Sequence, residues 1–228
     1  MKTSIRLLNG DLVTIDVPGA ATMPPASAVS VVETDGVELE LTSGTPAILD
    51  FFTSSTGSVL GHEVTLRGGE TLRIGALGGD PQHGRAFALS VGEDAIFGSC
   101  APGLAVEELA AWLGRMTFRS TAQGPTVTPG RGQAWAAARA HAVAQQVILG
   151  GSRGYLLDVR RAEGAAMAPQ RSQGVPVRGG RLMRSPAADE HRHVILDTSD
   201  FVAYGLPFDS TSLDEVATSM SRVTTERS

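Results

Sequence analysis

The run Asp189-Glu190-His191-Arg192-His193 gathers two carboxylates and two imidazoles within five residues, and each of these side-chain types can ligate a transition metal. On an extended strand His191 and His193 would point to the same face. No dispersed third ligand supports the set, and the only comparable run, "GGDPQHGR", offers Asp80 and His83. A charged hairpin tip accounts for both runs without a metal. No cofactor is therefore expected. Asp189, Glu190, His191 and His193 stand as the candidate ligands of an alternative reading, a metal-dependent enzyme.

Cys100 is the single cysteine, so no internal disulfide and no Cys-rich zinc site can form. It lies five residues before an expected helix at Val106, where a helix N-terminus could lower a thiol pKa. A cysteine enzyme would also need a base, and neither His62, His83 nor His141 is favoured by its spacing. "SSTGS" (54–58) and "GGSRG" (150–154) fit neither the lysine-bearing phosphate loop nor a full G-x-G-x-x-G, and no G-x-S-x-G elbow occurs. No catalytic residue is assigned, and the balance falls against an enzyme.

The net charge of −5 argues against broad attraction to nucleic acid or anionic lipid. One lysine among 19 basic residues suggests a GC-rich coding bias, which weakens arginine as a sign of phosphate recognition. Even so, 153–184 holds seven arginines against Asp158 and Glu163, either a solvated face or an acidic-partner patch. Arg178 and Arg181 fall in it. Trp112 lies beside the apolar stripe of its helix, as a core filler or as an anchor for a partner. Trp112, Arg178, Arg181 and Tyr204 are the candidate binding residues.

Such residues must be positioned by elements the pattern also forecasts. Asn9-Gly10, Asp35-Gly36 and Gly68-Gly69 each separate two β-rich runs, the strongest short-range hairpin signal, and three hairpins before the first helix imply a mainly antiparallel sheet. Val106, Leu109, Ala110, Leu113 and Met116 form one helical stripe, and Leu213, Val216, Ala217, Met220 and Val223 another, the second opened by the capping box Ser212 and Glu215. Helices are expected at about 105–117 and 212–224. The alanine- and glutamine-rich tract "GQAWAAARAHAVAQQVIL" reads as a linker helix at about 132–148, against an alternating strand carrying Val143, Gln145, Val147 and Leu149. The stretch 160–174 reads as a polar loop. No run is apolar and long enough to span a membrane, and the apolar residues Ile5, Leu7 and Leu8 are too few for a signal-peptide core.

The two helical stripes sit in a longer self-similarity. Residues 88–117 overlay 195–224 without gaps, with six identities: Leu89/Leu196, Gly98/Gly205, Glu108/Glu215, Ala110/Ala217, Arg115/Arg222 and Thr117/Thr224. Phe97 faces Tyr204, Arg67-Gly68-Gly69 faces Arg178-Gly179-Gly180, and Pro18-Gly19 faces Pro129-Gly130. A long period of this kind marks a duplicated structural unit. The expected fold class is α+β: two related units of antiparallel sheet backed by a helix, a pseudo-twofold tandem repeat divided into 1–122 and 123–228.

The succession of hairpins, "VPVRGGRL", a strand ending at Tyr204 and "SLDEVATSM" resembles the closing part of curved-sheet sensor and lipoprotein-carrier-like domains, such as the extracytoplasmic regions of bacterial anti-sigma regulators. The resemblance covers about 50 residues of each half and implies a half-open sheet that takes a lipid or protein on one face. The reading that results is a non-enzymatic bacterial protein-binding module, a regulator or adaptor, located in the cytoplasm. Its alternative is a structural subunit of a larger assembly. The partner is another protein or a second copy, with no nucleic acid and no membrane insertion.

Overall fold

The computed structural model describes residues 1–136, 141–161, 174–185 and 192–227. In chain order, β1 (Lys2–Arg6) and β2 (Leu12–Asp16) are joined through Asn9-Gly10, where the Gly10 N–H donates to the Leu7 carbonyl at 2.9 Å. β3 (Ser27–Thr34) and β4 (Val37–Gly44) close on a two-residue turn, with Asp35 at φ 50° and Gly36 at φ 78°. Positive φ at both positions matches the right-handed strand twist and is easiest for Asp-Gly or Asn-Gly.

Then comes a helix the sequence pattern does not forecast, α1 (Pro46–Thr56). Pro46 opens it at the first turn, where its missing N–H costs nothing. Gly57 ends it in the left-handed region, its N–H donating to Ser54 O and that of Ser58 to Thr53 O. Three hairpins before the first helix is therefore corrected to two strand pairs, a helix, and then the pair β5 (Val59–Thr65) and β6 (Thr71–Ala76) around Gly68-Gly69. Two 3-10 turns follow at Leu77–Gly79 and Pro81–His83, the second capped by Asp80, whose Oδ1 accepts from Gln82 N at 2.9 Å. β7 (Arg85–Val91), β8 (Asp94–Cys100), α2 (Val106–Leu113), β9 (Thr117–Thr121) and β10 (Gly124–Thr128) complete this stretch. α2 is shorter than 105–117, since the chain leaves Gly114 for the strand that begins at Thr117.

The linker helix at 132–148 is overturned. β11 (Gln133–Trp135) and β12 (His141–Gly150) are strands, and residues 137–140 lie outside the described set. Along β12, His141, Val143, Gln145 and Val147 are buried, alternating with more exposed Ala142, Ala144 and Gln146. That period of two lets one face of the strand be buried, and tertiary burial outweighs the helical preference of alanine and glutamine. Beyond it lie β13 (Arg153–Arg161), β14 (Val175–Val177), β15 (Gly180–Arg184), β16 (Val194–Asp197), β17 (Phe201–Pro207), α3 (Leu213–Met220) and β18 (Thr224–Arg227). The stretch 160–174, expected as a loop, contains residues 162–173 outside the described set.

The chain is mostly antiparallel sheet with three helices among the described residues, but it does not divide at residue 122. One unit comprises Met1–Ile5, Asp11–Ala26 and Ala137–Ser228, and the other Arg6–Gly10 and Ser27–Ala136. β10 stays in the second unit because it pairs with β9, from Thr117/Thr128 to Thr121/Gly124, and β2 belongs to the first because β18 pairs with it, from Thr224/Asp16 to Arg227/Val13.

In the unit built around Ser27–Ala136, the strands run β3-β4-β8-β7-β6-β5, with β11 added to β3. One face carries Leu39, Leu41, Leu72, Ile74, Phe87, Leu89 and Ile96 against Leu109 and Leu113 of α2. On the other, Ala88, Ala95 and Phe97 meet Ile48, Leu49 and Phe52 of α1, with the Phe52 and Phe97 rings 5.1 Å apart. In the unit built around Ala137–Ser228, the strands run β12-β13-β17-β16-β15-β14. α3 lies against β17, β16 and β15. Gly205 makes room for it, because a Cβ there would lie 2.2 Å from Met220 Sδ and 2.8 Å from Val216 Cγ1. The fully buried Tyr155 reaches the helix through its hydroxyl, 3.0 Å from Ser219 Oγ, and burial pushes its pKa up to about 12.

α3 begins with the forecast capping box: Ser212 Oγ accepts from Glu215 N at 3.2 Å, and Ser212 N donates to Glu215 Oε2 at 3.0 Å. It ends at Met220, not 224, because the following threonines enter β18. Replacing Ser212 by alanine leaves a helix amide unpaired and is expected to lower stability by about 1 kcal/mol in urea unfolding. An unchanged midpoint would show that water replaces the cap at no cost.

Candidate functional site

The sequence candidates separate in space. Trp112, expected as a partner anchor, is 5% exposed. It is the core filler of the two readings, because a side chain with so little surface offers a partner nothing to grip. Its carbonyl accepts from Gln133 Nε2 at 3.1 Å. Arg178 lies between β14 and β15, its side chain 58% exposed and its Nη2 3.7 Å from Asp16 Oδ2. Arg181, on β15, donates from Nη2 to Gly174 O at 2.8 Å.

Tyr204 shares a sheet face with Arg181, since the register pairs Tyr204 with Ile195, Ile195 with Met183, and Arg181 lies two residues from Met183. The half-buried Tyr204 ring has the Arg160 guanidinium 5.3 Å from its centroid and the His193 ring 5.8 Å away. Arg160 in turn donates to Asp158 Oδ2 from Nη2 at 2.6 Å and from Nε at 2.9 Å. This face therefore mixes an aromatic ring with paired charges. His193 is held by the backbone pairing of residues 185 and 193 and by Ser185 Oγ, which accepts from His193 N at 2.9 Å. Asp189, Glu190 and His191 lie outside the described residues, and among the described residues no group of three or more His, Cys, Asp and Glu converges.

Cys100 is not in a loop. It ends β8 at 7% exposure, and burial pushes its thiol pKa up, against a smaller opposing effect of Arg85. Burial thus opposes the nucleophilic thiolate that a helix N-terminus would favour.

Sequence reasoning did not single out a groove in the unit built around Ala137–Ser228. Its volume is ≈ 290 Å³, and Pro18, Gly19, Leu149, Arg153, Asp214, Glu215, Thr218, Ser219 and Arg222 line it. Arg153 Nη1 donates to Glu215 Oε1 at 3.0 Å, and Arg184 Nη2 pairs with Asp214 Oδ1 at 2.6 Å. Glu215 is held below the usual carboxylate range, first by the Ser212 backbone N–H, then by the Ser212 hydroxyl, with Arg153 adding to both. The one available signal was the pairing of Arg222 with Arg115 in the sequence overlay. That pairing sets the two arginines at matching places in the overlay, but says nothing of a cavity.

Exposed large apolar side chains are the other feature the pattern could not rank. Phe51 on α1 is 71% exposed, Val59 on β5 76% and Val175 on β14 67%. β5 and β14 are the last strands in the two sheet orders given above. No helix among the described residues is long and apolar enough to cross a membrane. No protein family matches the sequence, and neither a curated protein nor a solved structure matches it.

Proposed function

We propose that the chain is a non-enzymatic protein-binding module made from a duplicated α+β unit, and that it binds an extended segment of another protein along the outer edge of β5. The observation that carries this reading is a difference between the two terminal strands. β14 has three residues, Val175-Pro176-Val177, and its proline lacks the N–H that strand addition needs. β5 has seven residues and no proline, and it carries Val59 at 76% exposure next in sequence to the helix that presents Phe51. An incoming strand gains main-chain hydrogen bonds at such an edge, and exposed apolar side chains add selectivity.

Duplication is supported by the strand orders. β3-β4-β8-β7-β6-β5 and β12-β13-β17-β16-β15-β14 have the same succession when each is renumbered from its first strand, and α2 and α3 follow β8 and β17 respectively. A bacterial, cytoplasmic regulator or adaptor is the setting proposed for it. The second reading, a structural subunit, shares the same edge, since β5 of a second copy is itself an extended segment.

A photo-cross-linking amino acid at position 59 tests the site. The expected outcome is an adduct of one defined mass, reduced at least tenfold by Phe51→Ser on the same chain and absent when the cross-linker sits at the exposed Asp200. Phe51→Ser changes stability by no more than about 0.5 kcal/mol, as for most surface substitutions. Light scattering separates the two readings: a monomer at high concentration sinks self-association. Equal adducts at 59 and 200 sink the edge.

A further inference from the structure

We infer that the groove around Arg222 is a binding site for a singly charged carboxylate on a small ligand. The cation that would hold it is Arg222 itself. Arg222 is exposed at the rim of the groove that it helps to line, and its guanidinium makes no hydrogen bond or ion pair among the described residues. The other charges of the lining are already matched, Arg153 with Glu215 and Asp214 with Arg184. One positive charge is therefore left over in a concave site, and Thr218 lines the same groove, where its hydroxyl can add a donor.

The other unit shows what such a charge takes. Arg115, the counterpart of Arg222, has Asp35 Oδ2 3.6 Å from its Nη2 and Thr34 Oγ1 3.4 Å from the same nitrogen. Asp35 is the first of two turn residues between β3 and β4, since Thr34 pairs with Val37. In the turn between β12 and β13, Gly150 pairs with Arg153, so Gly151 occupies the first position. The two residues have the same left-handed backbone, φ 50° at Asp35 and φ 57° at Gly151. The carboxylate that Asp35 supplies has no equivalent at Gly151, which lies in sequence between the groove residues Leu149 and Arg153. This comparison rests on the duplication proposed above, whereas the cavity and the unmatched guanidinium do not.

The rest of the lining selects the ligand. Asp214 and Glu215 face the same groove, so a doubly charged phosphate meets two negative neighbours where a monocarboxylate meets less repulsion. A volume of ≈ 290 Å³ is close to the lower end of the range of small-molecule pockets, about 300–1,000 Å³. Pro18 and Leu149 give the ligand an apolar wall.

The test is a titration followed on the Arg222 Nε–Hε resonance, using four probes: propionate, N-acetyl-aspartyl-glycinamide, its asparagine analogue and inorganic phosphate. The two carboxylates are expected to produce a saturable shift, with the asparagine analogue and phosphate at least tenfold weaker. Equal binding of both carboxylates identifies a free small acid as the source. Binding of the aspartyl probe alone identifies a carboxylate presented on a peptide turn. Followed on the Thr218 amide, Arg222→Gln lowers affinity at least tenfold and Arg115→Gln changes it less than twofold.

Gly151→Asp supplies the carboxylate from within and also lowers affinity at least tenfold. Its backbone suits aspartate, and a Cβ there meets nothing within 4 Å. No saturable shift up to about 10 mM of either carboxylate, an affinity of less than about 3 kcal/mol, overturns the inference, as does binding that survives Arg222→Gln. Loss of binding in Arg222→Gln with none in Gly151→Asp keeps the site and removes the comparison with Arg115. The duplication fails by a different result, an experimental structure in which the strands of the two units do not superpose.

Discussion

Alanine at Gly98 is expected to lower stability by about 3 kcal/mol, whereas alanine at Gly61 changes it by no more than about 0.5 kcal/mol. Gly98 lies on β8 opposite Phe87, and a Cβ there would be 2.1 Å from the Glu40 carbonyl oxygen and 3.0 Å from the Phe87 ring. The first neighbour is backbone in a paired strand, and the second is a fully buried side chain, so neither retreats without breaking packing. Gly61, on the outer strand β5, has nothing within 4 Å of the same added atom. Gly205, the partner of Gly98 in the overlay, is intermediate: the thioether of Met220 can rotate, Val216 cannot, and about 1–2 kcal/mol is expected. Urea unfolding of the three variants gives the order directly. A Gly98→Ala protein as stable as the parent would mean that β4 and β8 are not as close as described.

The second large effect is a loss of stability on acidification that runs through His141. It is 5% exposed on β12, and its pKa is lowered to about 4, chiefly by burial and next by Arg161. Asp11 pulls the other way and Arg227 adds to the lowering; Asp11 pairs with Arg161 at 3.6 Å and with Arg227 at 3.1 Å. An unfolded histidine titrates near 6.5, so between that value and about 4 the unfolded chain holds the extra proton. Stability contributed by neutral His141 is therefore intact above the unfolded pKa and declines as pH falls, by about 2 kcal/mol at pH 5 and about 3 at pH 4. His141→Gln removes this titration. The difference in urea midpoint between parent and variant should shift in the variant's favour from pH 7 to pH 5, and a constant difference would exclude His141 as the cause.

Local signals in the sequence are legible where chemistry acts over a few residues. Asn9-Gly10, Asp35-Gly36 and Gly68-Gly69 each lie between paired strands, because these dipeptides accept the backbone that a tight hairpin requires. The box at Ser212 and Glu215 was equally plain, since both of its hydrogen bonds are made within four residues. α1 is hard to see in the sequence because its signals are sparse: Thr45 makes no side-chain cap, the first turn has no acid, and Phe51, Phe52 and Thr53 favour strands as much as helices. Pro46 and Gly57 were the signs that remained. β12 departs from its helical expectation because alanine propensity is intrinsic, while the burial of His141 and Gln145 depends on groups far away in the chain. Gln145 Nε2, for example, donates to Pro24 O at 2.6 Å.

The candidate site was less legible than the fold, for a related reason. Trp112 was conspicuous by type, yet its burial is set by packing that spacing alone does not reveal. Arg222 looked like any surface arginine, and only the assembled groove shows that its neighbours have already chosen other partners.

The pairing of β18 with β2 imposes an order on synthesis. Ser27–Ala136 is nearly continuous, so most of that unit's contacts are available once its last strand has left the ribosome. β2, by contrast, waits for Thr224–Arg227, more than 200 residues later, before its edge is covered. During that interval a nascent chain carries an unpaired strand edge, the kind of exposure that chaperones bind, and long-range closure of this type is intrinsically slow.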